Sequence, residues 1–115
     1  LITNNNNNTS SIETFPMALH RLLVELDGVE GGADIAMFVP NGSAFCIINI
    51  SAFEERVMNM YFPRLKNFSS FLLQLNIYEF ERLESPLLPK TKCAYFHPLF
   101  HRDNPTCIAH IRPRQ

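Results

Sequence analysis

The stretch Asn67–Arg82, NFSSFLLQLNIYEFER, decides how this chain is read. Its spacing predicts a single amphipathic helix. Asn67 or Ser69 can cap it by accepting hydrogen bonds from the free amides of the first turn. At about 100° per residue, Phe71, Leu72, Leu75 and Tyr78 share one side, the core face. Ser70, Leu73, Gln74 and Ile77 share the other, with Asn76 on the flank. The preceding segment, Ser51–Tyr61 (SAFEERVMNMY), is also helical, with Phe53, Val57 and Met60 spaced for one face and Pro63 ending it. Two helices joined by a short break, the second presenting amides and a hydroxyl outward, describe a helix-turn-helix. A solvated surface helix can show the same pattern, so the rest of the chain has to decide.

The 115 residues suffice for one domain with a modest core. Apolar residues make up 46% and aromatics 11%, with ten Phe, which fits a folded unit rather than a disordered one. A chain opening on Leu reads as a piece of a longer protein. No apolar run approaches the roughly 20 residues that span a bilayer, and no signal peptide is recognisable, so no membrane partner is expected. The net charge of −1 is unevenly spread. Residues 1–62 hold two basic and seven acidic side chains, a balance of −5, whereas residues 63–115 hold eight and four, a balance of +4. Basic charge thus gathers from the turn before the Asn67 helix onward, where phosphate contacts would be made.

Cys46, Cys93 and Cys107 are odd in number and irregularly spaced, which speaks against a disulfide scaffold and for a reducing compartment. Cys93, His97 and His101 repeat every four residues, followed by Cys107 and His110. Pro98 cannot sit inside the helix that spacing requires, and no CxxC pair exists, so no metal is expected. Five N-x-S/T sequons, at Asn7, Asn8, Asn41, Asn49 and Asn67, follow from the Asn and Ser content. An enzyme is not indicated. The chain has no nucleophile elbow, no phosphate-cradling glycine loop and no HExxH, so neither a cofactor nor a small-molecule substrate is expected.

Taken in order, residues 1–13, with five consecutive Asn, read as a disordered lead-in. Phe15-Pro16 opens a helix with Leu19, Leu22, Leu23 and Leu26 on one face. Asp34–Val39 and Ala44–Ile50 are β-prone and flank Pro40-Asn41-Gly42; Asn-Gly there signals a hairpin with positive φ at both residues. The two helices follow, then a loop at 84–92 carrying Lys90 and Lys92, a strand at Cys93–Phe96, and a short helical run in TCIAHI. The expected fold is α+β: a winged helix-turn-helix, with a three-helix bundle packed on a small antiparallel sheet of about four strands. The domain is expected to span 14–112, with the recognition helix at 68–80 and the wing at 84–92.

FPMALHRLL, DIAMFVPNGSAFCI, FEERVMNMYFPRLKNFSSFLLQLNIYEFERL and YFHPLFHR, between Phe15 and Arg102, together resemble the DNA-binding domain of heat shock transcription factors. The resemblance implies a stress-responsive nuclear transcription regulator. Its partner is double-stranded DNA carrying inverted GAA repeats, and trimers form through a coiled coil outside this chain. It implies base-facing side chains at Ser70, Leu73, Gln74, Asn76 and Ile77. Backbone contacts fall at Arg64, Lys66, Asn67, Tyr78 and Arg102, with Lys90 and Lys92 in the wing. The family pattern SF-x-R-Q-L-N-x-Y-G-F is met at Ser70, Phe71, Gln74, Leu75, Asn76, Tyr78 and Phe80. It is not met at Leu73, where the family has its guanine-reading Arg, nor at Glu79, where it has Gly; Glu81 stands where a basic residue is usual. The expectation is an altered base preference. The alternative is a domain of the same fold with weak or no specific DNA binding, using Leu73 and Ile77 to associate with protein.

Overall fold

Thr14 starts the first helix, its hydroxyl accepting from the Met17 amide at 3.4 Å, with Pro16 in the first turn where a missing N–H costs nothing. The computed structural model describes residues 12–84 and 93–114 of the 115. Helix α1, Phe15–Asp27, buries Leu19, Leu22, Leu23 and Leu26 as its periodicity predicts. The chain then reverses through Gly31, at φ 78°, and a 3-10 turn Gly32–Asp34. A Cβ on Gly32 would lie 1.9 Å from the Leu26 carbonyl oxygen, so only glycine lets the backbone pass the end of α1.

Strands β1 (Ala36–Phe38) and β2 (Ala44–Ile47) form the expected hairpin, with Phe38 opposite Phe45. The turn differs from expectation. Gly42 alone has positive φ, 80°, while Asn41 does not. Gly42 N–H donates to the Val39 carbonyl at 2.8 Å, which makes Pro40 and Asn41 the central pair. The proline ring fixes a negative φ at the first of these. The Asn41 side chain instead accepts from the Ser43 amide and hydroxyl.

A continuous helical segment over 50–61, here α2, begins under an Asn49 cap. It combines an α turn (Ile50–Ala52), a π stretch (Phe53–Val57) and a final α turn (Met58–Tyr61). The π stretch corrects the expected inward face. Its extra residue per turn rotates everything downstream, so Met58 is buried at 2% exposure and Met60 lies outside at 66%. Helix α3 runs Phe68–Ile77 and stops well short of Arg82, with Glu81–Leu83 forming strand β3 instead. Strand β4 (Cys93–Phe96) pairs antiparallel with both β2 and β3, giving the sheet order β1-β2-β4-β3. A short helix α4, Pro105–Ile108, precedes the C-terminal strap. Among the described residues, helices α1–α3 and the four-stranded antiparallel sheet make the predicted winged helix plan. The lead-in to residue 11, and the wing loop beyond Glu84 with Lys90 and Lys92, lie outside the described residues.

Two aromatic groups hold the layers together. Phe71, fully buried, has its ring centroid 4.9 Å from Phe53, 5.6 Å from Phe15, 5.7 Å from Phe68 and 5.8 Å from Phe62. It therefore locks α3 onto α1 and α2. Phe100, 1% exposed, joins Phe38, Phe45 and Phe80 under the sheet.

The end of α3 is a Schellman motif: the Glu79 amide donates to the Asn76 carbonyl at 3.0 Å and the Phe80 amide to the Leu75 carbonyl at 2.9 Å. Glu79 takes φ 65°, the left-handed conformation that disfavours any residue with a Cβ. Glu79→Gly is expected to stabilise the domain by about 1 kcal/mol in urea unfolding. An equal gain from Glu79→Ala would show that the charge, not the backbone, is responsible. Phe71→Ala is expected to cost about 3–5 kcal/mol. A loss below about 1 kcal/mol would remove Phe71 from its central place.

Candidate nucleic-acid interface

The start of α3 is held by two acceptors from different parts of the chain. Asn67 Oδ1 takes the Ser70 amide at 2.9 Å, and Glu54 Oε2, reaching over from α2, takes the Phe68 amide at 2.7 Å. A carboxylate beside the positive end of a helix is also favourable through the dipole. Both ends of α3 are thus capped, and its rotation is set by Phe71 and Leu75, which are buried. Leu72 and Tyr78, the other two residues of the expected core face, are half-buried, Tyr78 stacked on Phe15 at 5.6 Å.

Of the five residues expected to face bases, Leu73, at 59% exposure, and Asn76 are exposed. Ser70, Gln74 and Ile77 are half-buried, flanking that ridge rather than standing on it. Ser70 turns its hydroxyl back onto Asn67 Oδ1 at 3.0 Å, which commits it to the cap. Gln74 borders an open groove of about 640 Å³ together with Phe15, Pro63, Arg64 and Tyr78. That groove runs between the start of α1 and the turn before α3.

Among the residues expected to meet the DNA backbone, Arg64 and Lys66 stand exposed on that turn, and neither forms an ion pair with a described residue. Asn67 is exposed at the same corner. Arg102 differs. Its Nε and Nη2 hold both oxygens of Asp103, at 3.0 and 3.1 Å, and its Nη1 donates to the Pro40 carbonyl. The Arg102 hydrogen bond keeps the Asp103 carboxyl below its usual range. A phosphate would have to compete with that carboxylate. Glu79 and Glu81 are exposed just past the end of α3, adding negative charge where the helix dipole is already negative.

His97 and His101 act locally: their Nδ1 atoms accept from the Leu99 and Asp103 amides, each at 3.0 Å. Burial pushes the His97 imidazole below its ordinary pKa against the raising influence of Glu79 and Glu81. Among the described residues no three His, Cys, Asp or Glu side chains gather as a metal site.

Two residues that hold α3 carry no signal in the sequence. Glu54 sits on a helix face that periodicity assigns to solvent. Arg114 lies two residues beyond the boundary expected at 112, yet its guanidinium bonds to Asn76 on α3. Both act across long sequence separations that no local spacing encodes.

The model of the HSF-type DNA-binding family matches residues 15–114. Heat shock factor protein 3 of Gallus gallus is 31% identical over 85 residues, 69% of this chain, and the matched region spans 18% of that relative's length. Among solved structures, Skn7 of Chaetomium thermophilum with SSRE DNA superposes with a TM-score of 0.76 at 22% identity, covering 87% of this chain and 98% of the other. The same protein with HSE DNA gives 0.72 at 22% identity, covering 85% and 97%. A heat shock transcription factor DNA-binding domain with cognate DNA gives 0.51 at 20% identity, covering 70% and 96%. At these identities the superpositions show the fold, and the family match supplies the rest: this chain belongs to the HSF-type DNA-binding domains, a family of DNA-binding transcription factors and not of enzymes.

Proposed function

We propose that the domain reads duplex DNA by laying α3 in the major groove, as part of a nuclear, stress-responsive transcription factor that binds inverted repeats. The carrying observation is the fixed exposure of Leu73 and Asn76 on a helix capped at both ends and pinned by Phe71. A helix so held presents the same side chains to every groove it enters. Arg64, Lys66 and Asn67, on the adjoining turn, supply phosphate contacts, and Tyr78 backs the same corner. Arg102 joins them when a phosphate displaces Asp103. Lys90 and Lys92, which lie outside the described residues, are proposed as further phosphate contacts. The pairing of the structural neighbours with SSRE, HSE and cognate DNA supports this reading, as does the gathering of basic residues after position 62. The DNA-binding unit is assigned to 14–112 with the strap beyond it, and trimerisation to a coiled coil elsewhere in the full-length protein.

Base preference is the point of departure. An Arg at position 73 would contribute about 1–3 kcal/mol of discrimination for guanine through O6 and N7. Leucine offers no donor and meets only apolar groups, of which the thymine methyl is the one in the major groove. The exposed Leu73 also favours a second reading, a protein-association face with little specific DNA binding.

Selection from a randomised duplex pool at several salt concentrations separates the two. Enrichment of a site unlike the GAA repeat is expected from the native domain. Leu73→Arg is expected to raise affinity for inverted GAA repeats by at least about fivefold. If nothing is enriched over bulk duplex, and a concentration-dependent complex disappears in Leu73→Asp, the association reading holds instead.

A further inference from the structure

The chain's last described residues cross the end of α3. The Arg114 backbone N–H donates to the Ile77 carbonyl at 2.7 Å. Its Nη1 donates to Asn76 Oδ1 and its Nη2 to the Asn76 carbonyl, both at 3.0 Å. A guanidinium has donors and no acceptor, so only the oxygen end of the carboxamide can face it. Flipping the amide would set Nδ2 against Nη1, donor against donor. Asn76 is therefore held in one orientation while remaining exposed on the ridge beside Leu73.

We propose that Arg114 is a positioning residue for DNA recognition, fixing the Asn76 carboxamide so that α3 presents its Nδ2 donors to a base edge. This rests on the reading of α3 as the element that enters the groove. A free Asn offers one donor and one acceptor, which match adenine N7 and N6. With one of the two Oδ1 lone pairs taken by Arg114 and both Nδ2 hydrogens left over, Asn76 meets the groove chiefly as a donor. That matches the paired acceptors of guanine, O6 and N7, and opposes the amino group of cytosine. A residue at the far end of the domain thus sets the preference of a helix that has lost the family's own guanine-reading side chain.

The strap's backbone bond to Ile77 does not depend on the Arg114 side chain, and the guanidinium contacts are exposed, so Arg114→Ala is expected to fold with little loss of stability. Two measurements on the same variants test the proposal. In the free protein, NMR is expected to show the Asn76 carboxamide in one rotamer, its carbonyl carbon and Nδ2 proton shifts displaced from free-amide values by the bond at Oδ1. In Arg114→Ala these collapse toward free-amide values, and Arg114→Lys restores them in part. In pool selection, one position of the site is expected to prefer guanine over adenine by about fivefold or more. Arg114→Ala and Asn76→Ala lose that preference to the same extent, and the double variant loses no more.

Unchanged Asn76 resonances in Arg114→Ala overturn the proposal. So does an even loss of affinity across all sequences with the salt dependence reduced by about one phosphate contact, because Arg114 would then touch the backbone alone. If the native domain enriches no sequence at all, the groove reading fails and the specificity role falls with it; the resonances still decide whether Arg114 orients Asn76.

Discussion

The burial of Phe71 is the constraint from which the rest of the structure follows. Its ring meets Phe15 of α1, Phe53 of α2, Phe62 of the turn and Phe68 of its own helix, so α1, α2, the turn and α3 share one contact point. A helix that buries Phe71 and Leu75 has no remaining freedom to rotate about its axis. Which side chains face outward is then decided by arithmetic along the helix. Leu73 and Asn76 are on the surface because Phe71 is not. Close packing makes this a discrete choice, since rotating α3 by even a fraction of a turn would empty the site that Phe71 fills.

The ends of α3 are fixed by different means, and the difference has consequences. At the start, Asn67 and Glu54 accept amide hydrogens, and Glu54 also ties α2 to α3 through a bond between elements. At the finish, the left-handed Glu79 turns the chain sharply so that Phe80 drops into the second aromatic group and β3 can begin two residues after the turn. That turn places the sheet relative to the helix. It does so with a residue whose Cβ opposes the conformation, which the packing of Phe80 against Phe45 and Phe100 offsets.

Most of the architecture was legible because it rests on local rules. The leucines of α1, the Asn67 cap, the hairpin around Pro40–Gly42 and the strand at Cys93 each follow from periodicity or turn chemistry within a few residues. What was not legible depends on partners far away or on irregular backbone. The π stretch at Phe53–Val57 moved Met58 inward and Met60 outward, and no periodic template contains an extra residue. The helix ended at Ile77 although its apolar spacing continues, because the competing sheet claims Glu81–Leu83. At the candidate site, the outward position of Leu73 was readable, whereas Glu54 and Arg114 were not. Their contacts to α3 span 14 and 38 residues of sequence.

Magnitudes indicate what kind of reader such a surface makes. Leu73, 59% exposed, leaves on the order of 100 Å² of apolar surface in water, worth at most about 2–3 kcal/mol if fully covered. That is comparable with the 1–3 kcal/mol of a bidentate arginine–guanine pair. Losing the arginine therefore does not have to lower affinity. What changes is direction: apolar burial rewards any close methyl or ring edge, while a hydrogen-bonded fork rewards one base in one geometry. Angular selectivity must then come from the polar groups that remain on the ridge. Among these Asn76 is exposed and has its carbonyl end engaged, whereas Ser70 is turned onto its own helix cap. With Arg64 and Lys66 exposed before the start of α3 and Glu79 and Glu81 exposed past its end, the proposed docking would favour the N-terminal end of the helix. On the proposed reading the surface couples non-directional contact at Leu73 with one oriented amide, and its discrimination would rest on how firmly that amide is held.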